Sequence, residues 1–143
     1  MFGINIPPLS LPPSSLHPPI QGISNNLLTA LPDAALFATL SNLHDLDLEW
    51  NSIAYMTPNI FAGLSNLQTL YIHDNMITEL PSALLFASLS KLQELGLYNN
   101  RIAGFRNVSI FSALSSLTTL DMGNNQITEL PDAQLFEGLA SKW

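Results

Sequence analysis

The chain has no cysteine. That excludes a disulfide staple, a thiolate nucleophile and any cysteine-built zinc or iron site. Charge is scarce as well: Asp, Glu, Lys and Arg make up 10% of the 143 residues, against about a quarter in an average soluble domain. Neutral Asn, Ser, Thr and Gln must therefore cover the surface. Basic residues are the scarcest of all. Four Lys and Arg face eleven Asp and Glu, for a formal charge of −7, and the first of the four, Lys91, comes well past the middle. A chain of that sign repels phosphate instead of releasing its counterions, so nucleic acid is not an expected partner. Long apolar runs are missing too. The longest are pieces such as 83–89, far short of the roughly 20 residues that span a bilayer, so direct membrane insertion of this segment is not expected. The 47% of hydrophobic residues and mean hydropathy of +0.25 nevertheless supply one modest domain with a core, which excludes general disorder.

Six of the ten prolines, Pro7, Pro8, Pro12, Pro13, Pro18 and Pro19, crowd the first twenty residues. Residues 1–19 are expected to form an extended, poorly ordered arm; a ligand for a groove that reads proline-rich segments is the alternative, although no basic residue flanks it. The opening MFGINIPPLSLPP lacks a basic n-region, and its apolar stretch is broken by proline. It reads poorly as a secretory signal, so the expectation is a cytosolic chain or one whose true beginning is missing.

What the sequence has in abundance is repetition. Asn26, Asn51, Asn75, Asn100 and Asn125 follow one another at intervals of 25, 24, 25 and 25 residues. Three positions before each stands Ile23, Leu48, Ile72, Leu97 or Met122; two positions after stands Leu28, Ile53, Ile77, Ile102 or Ile127. The later units extend the pattern backward with Leu43 and Leu46, Leu67 and Leu70, Leu92 and Leu95, Leu117 and Leu120. Forward of each Asn comes an apolar residue (Leu31, Met56, Leu80, Phe105, Leu130), often followed by Pro. A Phe then follows (Phe37, Phe61, Phe86, Phe111, Phe136), and three later a Leu (Leu40, Leu64, Leu89, Leu114, Leu139). The unit is LxxLxLxxNxIxxLPxxxxFxxLxx, and it resembles the leucine-rich repeat family, in particular the 24-residue class of receptor ectodomains and extracellular matrix proteins. The resemblance implies an α/β-type repeat solenoid: a horseshoe segment with a parallel β-sheet on its concave face and irregular or 3-10 segments on its convex face. It also implies a receptor or adhesion-type protein at the cell surface or outside the cell.

The residues lead to the same fold. In LxL the apolar side chains alternate, so Leu46 and Leu48 point inward while Asp45, Asp47 and Glu49 point out. One such unit cannot bury its own leucines. Stacked units can, with parallel strands about 4.8 Å apart, which divides residues 20–143 into five units: 20–42, 43–66, 67–91, 92–116 and 117–143. The asparagine amide offers two donors and an acceptor to the turn after the strand and to the adjacent unit, an internal ladder. The first unit has Pro18 and Gln21 in place of two leucines and is expected to act as a makeshift cap. No polar segment closes the last unit before Trp143, so a piece of a longer array or an incomplete gene model is expected, the alternative being a weakly stable or self-associating protein.

Outward positions form columns across the units: Asp47, Tyr71, Gly96, Asp121; then Glu49, His73, Tyr98, Gly123; then Trp50, Asp74, Asn99, Asn124. Six acids, Asp45, Asp47, Glu49, Asp74, Glu94 and Asp121, lie on or beside this surface, with Arg101 the only basic side chain nearby. The expected ligand-binding residues are Asp47, Glu49, Trp50, Tyr71, His73, Asp74, Tyr98 and Asp121, recognising a protein or peptide of basic character, with the three large aromatics as anchors. A structural scaffold or spacer within a longer array is the alternative function. Catalysis is not expected. His73 beside Asp74, or His44 near Asp45 and Asp47, has no enclosed pocket and no nucleophile. No cofactor is expected, and no metal: Glu49 and His73 should be lateral neighbours, which on rigid strands makes a cross-strand charge pair rather than a chelate. The fourth unit departs from the pattern at Gly104-Phe105-Arg106 and continues as Asn107-Val108-Ser109, a possible glycosylation acceptor at Asn107 if the chain is secreted.

Overall fold

The computed structural model describes residues 20–130 and 133–139; the proline-rich arm of 1–19 and the end at Trp143 lie outside them. The chain winds as a repeat solenoid. Five short strands, β1 (Ile20–Gly22), β3 (Asp45–Asp47), β5 (Thr69–Tyr71), β6 (Glu94–Gly96) and β7 (Thr119–Asp121), form one parallel sheet in that order. Each coil contributes one strand in strict register: Leu46 pairs with Leu70, Leu70 with Leu95 and Leu95 with Leu120. The residues on either side of each leucine line up in the same way, Asp45, Thr69, Glu94 and Thr119 in one row and Asp47, Tyr71, Gly96 and Asp121 in the other. Alternation along a strand thus separates a leucine interior from a polar outer face.

The interior is continuous from Leu28 to Leu139. At its back the phenylalanines stack coil on coil, with ring centroids 6.1 Å apart for Phe37 and Phe61, 6.4 Å for Phe61 and Phe86, 6.1 Å for Phe86 and Phe111, and 6.3 Å for Phe111 and Phe136. The Phe-x-x-Leu spacing has a backbone cause. In four coils the Leu N–H donates to the carbonyl of the Phe three residues earlier, Leu40 to Phe37, Leu64 to Phe61, Leu89 to Phe86 and Leu114 to Phe111. This is the 3-10 pattern. It is regular enough to form short helices at Ala83–Phe86 and Ala133–Leu139. Ser82 caps the first of them through its hydroxyl, which accepts from the Leu84 N–H at 3.0 Å.

A second, two-stranded parallel sheet joins β2 (Ala30–Leu31) to β4 (Tyr55–Met56), a feature outside the sequence expectations. It stops after two coils for a covalent reason. The Thr57 N–H donates to the Leu31 carbonyl at 3.0 Å, and the residue that would repeat this one coil later is Pro81, which has no N–H to give.

Among the described residues no helix is long and apolar enough to cross a membrane. In the last coil Leu120, Met122, Ile127 and Phe136 are only partly buried, whereas their counterparts Leu95, Leu97, Ile102 and Phe111 are fully so.

Candidate functional site

The turn after each sheet strand sets the geometry of the outer face. Asn25, Trp50, Asp74, Asn99 and Asn124 all hold a left-handed backbone, with φ of 56°, 53°, 54°, 51° and 51°, and this re-aims the chain so that the next residue, the repeated Asn, turns inward. Four of the five are Asn or Asp, the types that tolerate this conformation best outside glycine. Trp50 is the exception. It is also 56% exposed, so neither backbone preference nor burial rewards tryptophan there. A strained, solvent-facing aromatic is the kind of outlier that points to binding. Trp50→Asn is expected to stabilise the fold by about 1 kcal/mol, read as a higher denaturation midpoint; an unchanged or lower midpoint would show that the turn is unstrained.

The asparagines after these turns knit the coils together. Asn75 donates from Nδ2 to the carbonyls of Ile72 and His73 in its own coil at 3.2 and 3.1 Å, and to Leu48 of the preceding coil at 3.0 Å. Its Oδ1 accepts from the Ile53 N–H at 2.9 Å. Asn51, Asn100 and Asn125 repeat the scheme, with Oδ1 accepting from Leu28, Ile77 and Ile102 and Nδ2 reaching back to Ile23, Ile72 and Leu97. Asn26 differs. It is exposed and, among the described residues, bonds only to Ile23 and Ser24 of its own coil.

Above the ladder, a chain of side chains crosses four coils. Glu49 Oε2 meets His73 Nε2 at 2.8 Å, and His73 Nδ1 meets Asp74 Oδ2 at 2.9 Å. Both are donated hydrogen bonds only when both ring nitrogens carry hydrogen. Asn99 then donates to Asp74 Oδ1, and Asn124 donates to Asn99 Oδ1 at 2.5 Å. Burial by itself works to raise the Asp74 carboxyl, but the hydrogen bonds from Asn99 and His73 and the nearby His73 charge outweigh it and hold the group below its ordinary value.

Tyr71 is fixed differently. Its hydroxyl donates to Glu94 Oε2 at 2.6 Å, and its ring lies over Gly96, close enough that a Cβ on Gly96 would come within 3.0 Å of Tyr71 Cδ1 and 3.2 Å of His73 Cδ2. That hydrogen bond, then desolvation, then the charges of Glu94, Asp45 and Asp47 push the Tyr71 hydroxyl up to about 12 from its usual 10.0. The folded state therefore keeps a proton that the unfolded chain loses first, so this contribution to stability is intact below pH 10 and disappears as pH rises toward 12. In an ultraviolet titration of the three tyrosines, one phenolate is expected to form only near pH 12, and Tyr71→Phe to remove that late step. Late ionisation surviving in Tyr71→Phe would disprove the assignment.

The structure brings Tyr71, His73, Asp74, Tyr98 and Asp121 to one depression of about 410 Å3, together with Glu94, Leu95, Gly96 and Thr119. Asp47 and Glu49 stand beside it on the same face, in register with Tyr71 and adjoining His73. Trp50 is set apart. It borders a separate hollow with Asp74, Met76, Asn99 and Arg101 on the turn edge, so the three aromatic anchors divide between two surfaces. Sequence reasoning did not find the depression, because it depends on how side chains lean: Gly96 occupies the row otherwise held by Asp47, Tyr71 and Asp121, and the rings of Tyr71 and His73 lie against the space its missing side chain leaves. Glycine in an otherwise filled outward column is the signal that would have found it. Among the described residues no three His, Asp or Glu side chains converge as metal ligands. Asn107 is exposed on a connection between the bend at Arg106 and the turn that begins at Val108, where its Oδ1 accepts from the Ser109 N–H at 2.8 Å.

Comparison with known proteins covers the same coils. A family model described as leucine rich repeat matches residues 22–77, and one described as leucine rich repeats in two copies matches 65–109 and 90–135. No curated protein matches the chain. Among solved structures, a chain of the Toll–Spatzle complex of Drosophila aligns with 30% identity and a TM-score of 0.69 over 82% of this chain. The leucine-rich repeat domain of APL1B aligns with 22% identity and a TM-score of 0.73 over 81% of it. The present chain spans 15% of the length of the first and 33% of the second. The two family models overlap and together take in each repeated asparagine from Asn26 to Asn125, and the chain belongs to the leucine-rich repeat family.

Proposed function

We propose that this chain is a non-enzymatic recognition module that binds a protein or peptide of basic character through the outer face of its sheet, as part of a receptor or adhesion-type protein. The observation that carries the reading is charge placement. Asp45, Asp47, Glu49, Asp74, Glu94 and Asp121 stand on or beside the face. The one Lys or Arg ion pair among the described residues, Arg106 with Glu79 at 2.9 Å, lies away from the strands. A face left negative steers a cationic partner into contact, and Tyr71, Tyr98 and Trp50 offer contact area at low entropic cost. The similarity to a chain solved in the Toll–Spatzle complex supports a protein partner. In a secreted protein Asn107 would be the glycan acceptor, on a loop clear of the sheet face.

Capture on the immobilised domain, eluted by salt, tests partner and charge sign together. Retained partners are expected to elute as ionic strength rises, and the double substitution Trp50→Ala with Tyr71→Ala is expected to weaken their binding by at least about tenfold. Partners whose binding survives both substitutions and is indifferent to salt would refute the proposal.

A further inference from the structure

The depression over Gly96 is chemically narrower than the face around it. Its lining includes three carboxylates, Asp74, Glu94 and Asp121, one histidine, His73, which is engaged by Glu49 and Asp74, and neither Lys nor Arg. Asp74 is spent, with one oxygen bonded to Asn99 and the other to His73. Glu94 and Asp121 are half spent. Glu94 Oε2 accepts from Tyr71, and Asp121 Oδ1 accepts from the Gly123 N–H at 2.9 Å. Among the described residues, Glu94 Oε1 and Asp121 Oδ2 have no partner. The register places these two acids on adjacent strands and diagonal to one another, since Glu94 pairs with Thr119 and Gly96 with Asp121.

The walls add a second requirement. Tyr71 is held over Gly96 by its own hydrogen bond, and Tyr98 lies over Gly123, where a Cβ would come within 3.1 Å of its Cδ2. Tyrosine rings attract a cation to their faces. A group suited to the hollow is therefore long enough to enter it from the open side, apolar along its stem, cationic and flat at its tip, and able to donate to two carboxylates in different directions. Guanidinium meets all of these conditions; an ammonium is a compact, strongly hydrated point charge that stacks less well.

We infer that the depression floored by Gly96 is a seat for one arginine side chain of the partner, bridged by Glu94 and Asp121 and flanked by Tyr71 and Tyr98. The inference rests on the proposed recognition role of the sheet face and names the residue type that the face reads.

The test needs no partner protein. Isotope-labelled whole chain is titrated with an acetylated, amidated Gly-Gly-Arg-Gly-Gly peptide and with its lysine counterpart, following backbone amides by NMR at low salt. Saturable shifts are expected for the arginine peptide, centred on Gly96, Tyr98 and Gly123, with lysine binding several-fold weaker. The double substitution Glu94→Gln with Asp121→Asn is expected to weaken arginine binding by about tenfold. Gly96→Val, whose Cβ would press on Tyr71 Cδ1 and His73 Cδ2 and shift both rings, is expected to abolish it. Glu79→Gln, which removes a negative charge at the Arg106 pair, should leave it unchanged. The amide spectra report directly that each variant is folded. Equal shifts with arginine and lysine, shifts centred elsewhere, or indifference to the Glu94 and Asp121 substitutions would overturn the seat. Such a failure would leave partner capture by the face standing, whereas saturable arginine binding beside failed capture would remove the recognition role and keep the seat.

Discussion

Phe86→Ala is expected to cost about 3 to 5 kcal/mol of folding stability. Phe86 is fully buried and sandwiched between Phe61 and Phe111, with ring planes tilted by only 3° and 15° to its neighbours. Truncation therefore loses contacts on both sides at once. In a solenoid each coil touches only its neighbours, so a void in the third coil weakens two of the interfaces on which the array depends. Against a typical total of roughly 5 to 15 kcal/mol, that is a large share. Phe136→Ala supplies the comparison: Phe136 is partly buried and stacks on Phe111 from one side, so its truncation should cost distinctly less. Urea denaturation followed by circular dichroism measures both. Equal losses at the two positions would mean that the phenylalanine column is not a shared stack.

The second large effect concerns the ladder. Asn75→Ala is expected to cost roughly 1 to 3 kcal/mol, because it strands the Ile53 N–H and the carbonyls of Leu48, Ile72 and His73 at a site that water does not reach freely. Asn100→Ala removes the equivalent set around Ile77, Ile72, Leu97 and Tyr98 and should behave alike. Asn26→Ala should be much milder, since Asn26 is exposed and, among the described residues, bonds nothing outside its own coil. An Asn75→Ala midpoint as little shifted as that of Asn26→Ala would rule out the inter-coil bonds as a source of stability.

These two effects sit in the machinery that holds the coils and not in the side chains that line the depression over Gly96. Function and stability are therefore separable here. Substitutions at Glu94 and Asp121 touch groups that are exposed or half-bonded and leave the leucine interior, the ladder and the phenylalanine stack intact. Trp50 is the one place where the two conflict: its left-handed backbone strains the fold while its ring enlarges the exposed apolar surface.

The leucine, asparagine and phenylalanine periods were legible in the sequence because each reports a contact that successive coils make with a similar neighbour, Asn26 being the exception. Repetition turns a three-dimensional relation into a fixed spacing, so the inward and outward columns, and with them the pairing of Glu49 with His73, follow from alternation alone. What breaks the repetition was not legible. That Trp50 adopts a backbone built for asparagine, that Pro81 ends the small sheet for want of one N–H, and that Tyr71 swings over Gly96 to bond Glu94 are decided by how unlike side chains meet across adjacent coils. A column lists which residues are neighbours, but rotamers and register determine which way each one leans: Tyr71 lies against Gly96 and Tyr98 against Gly123, each over the glycine of the next coil.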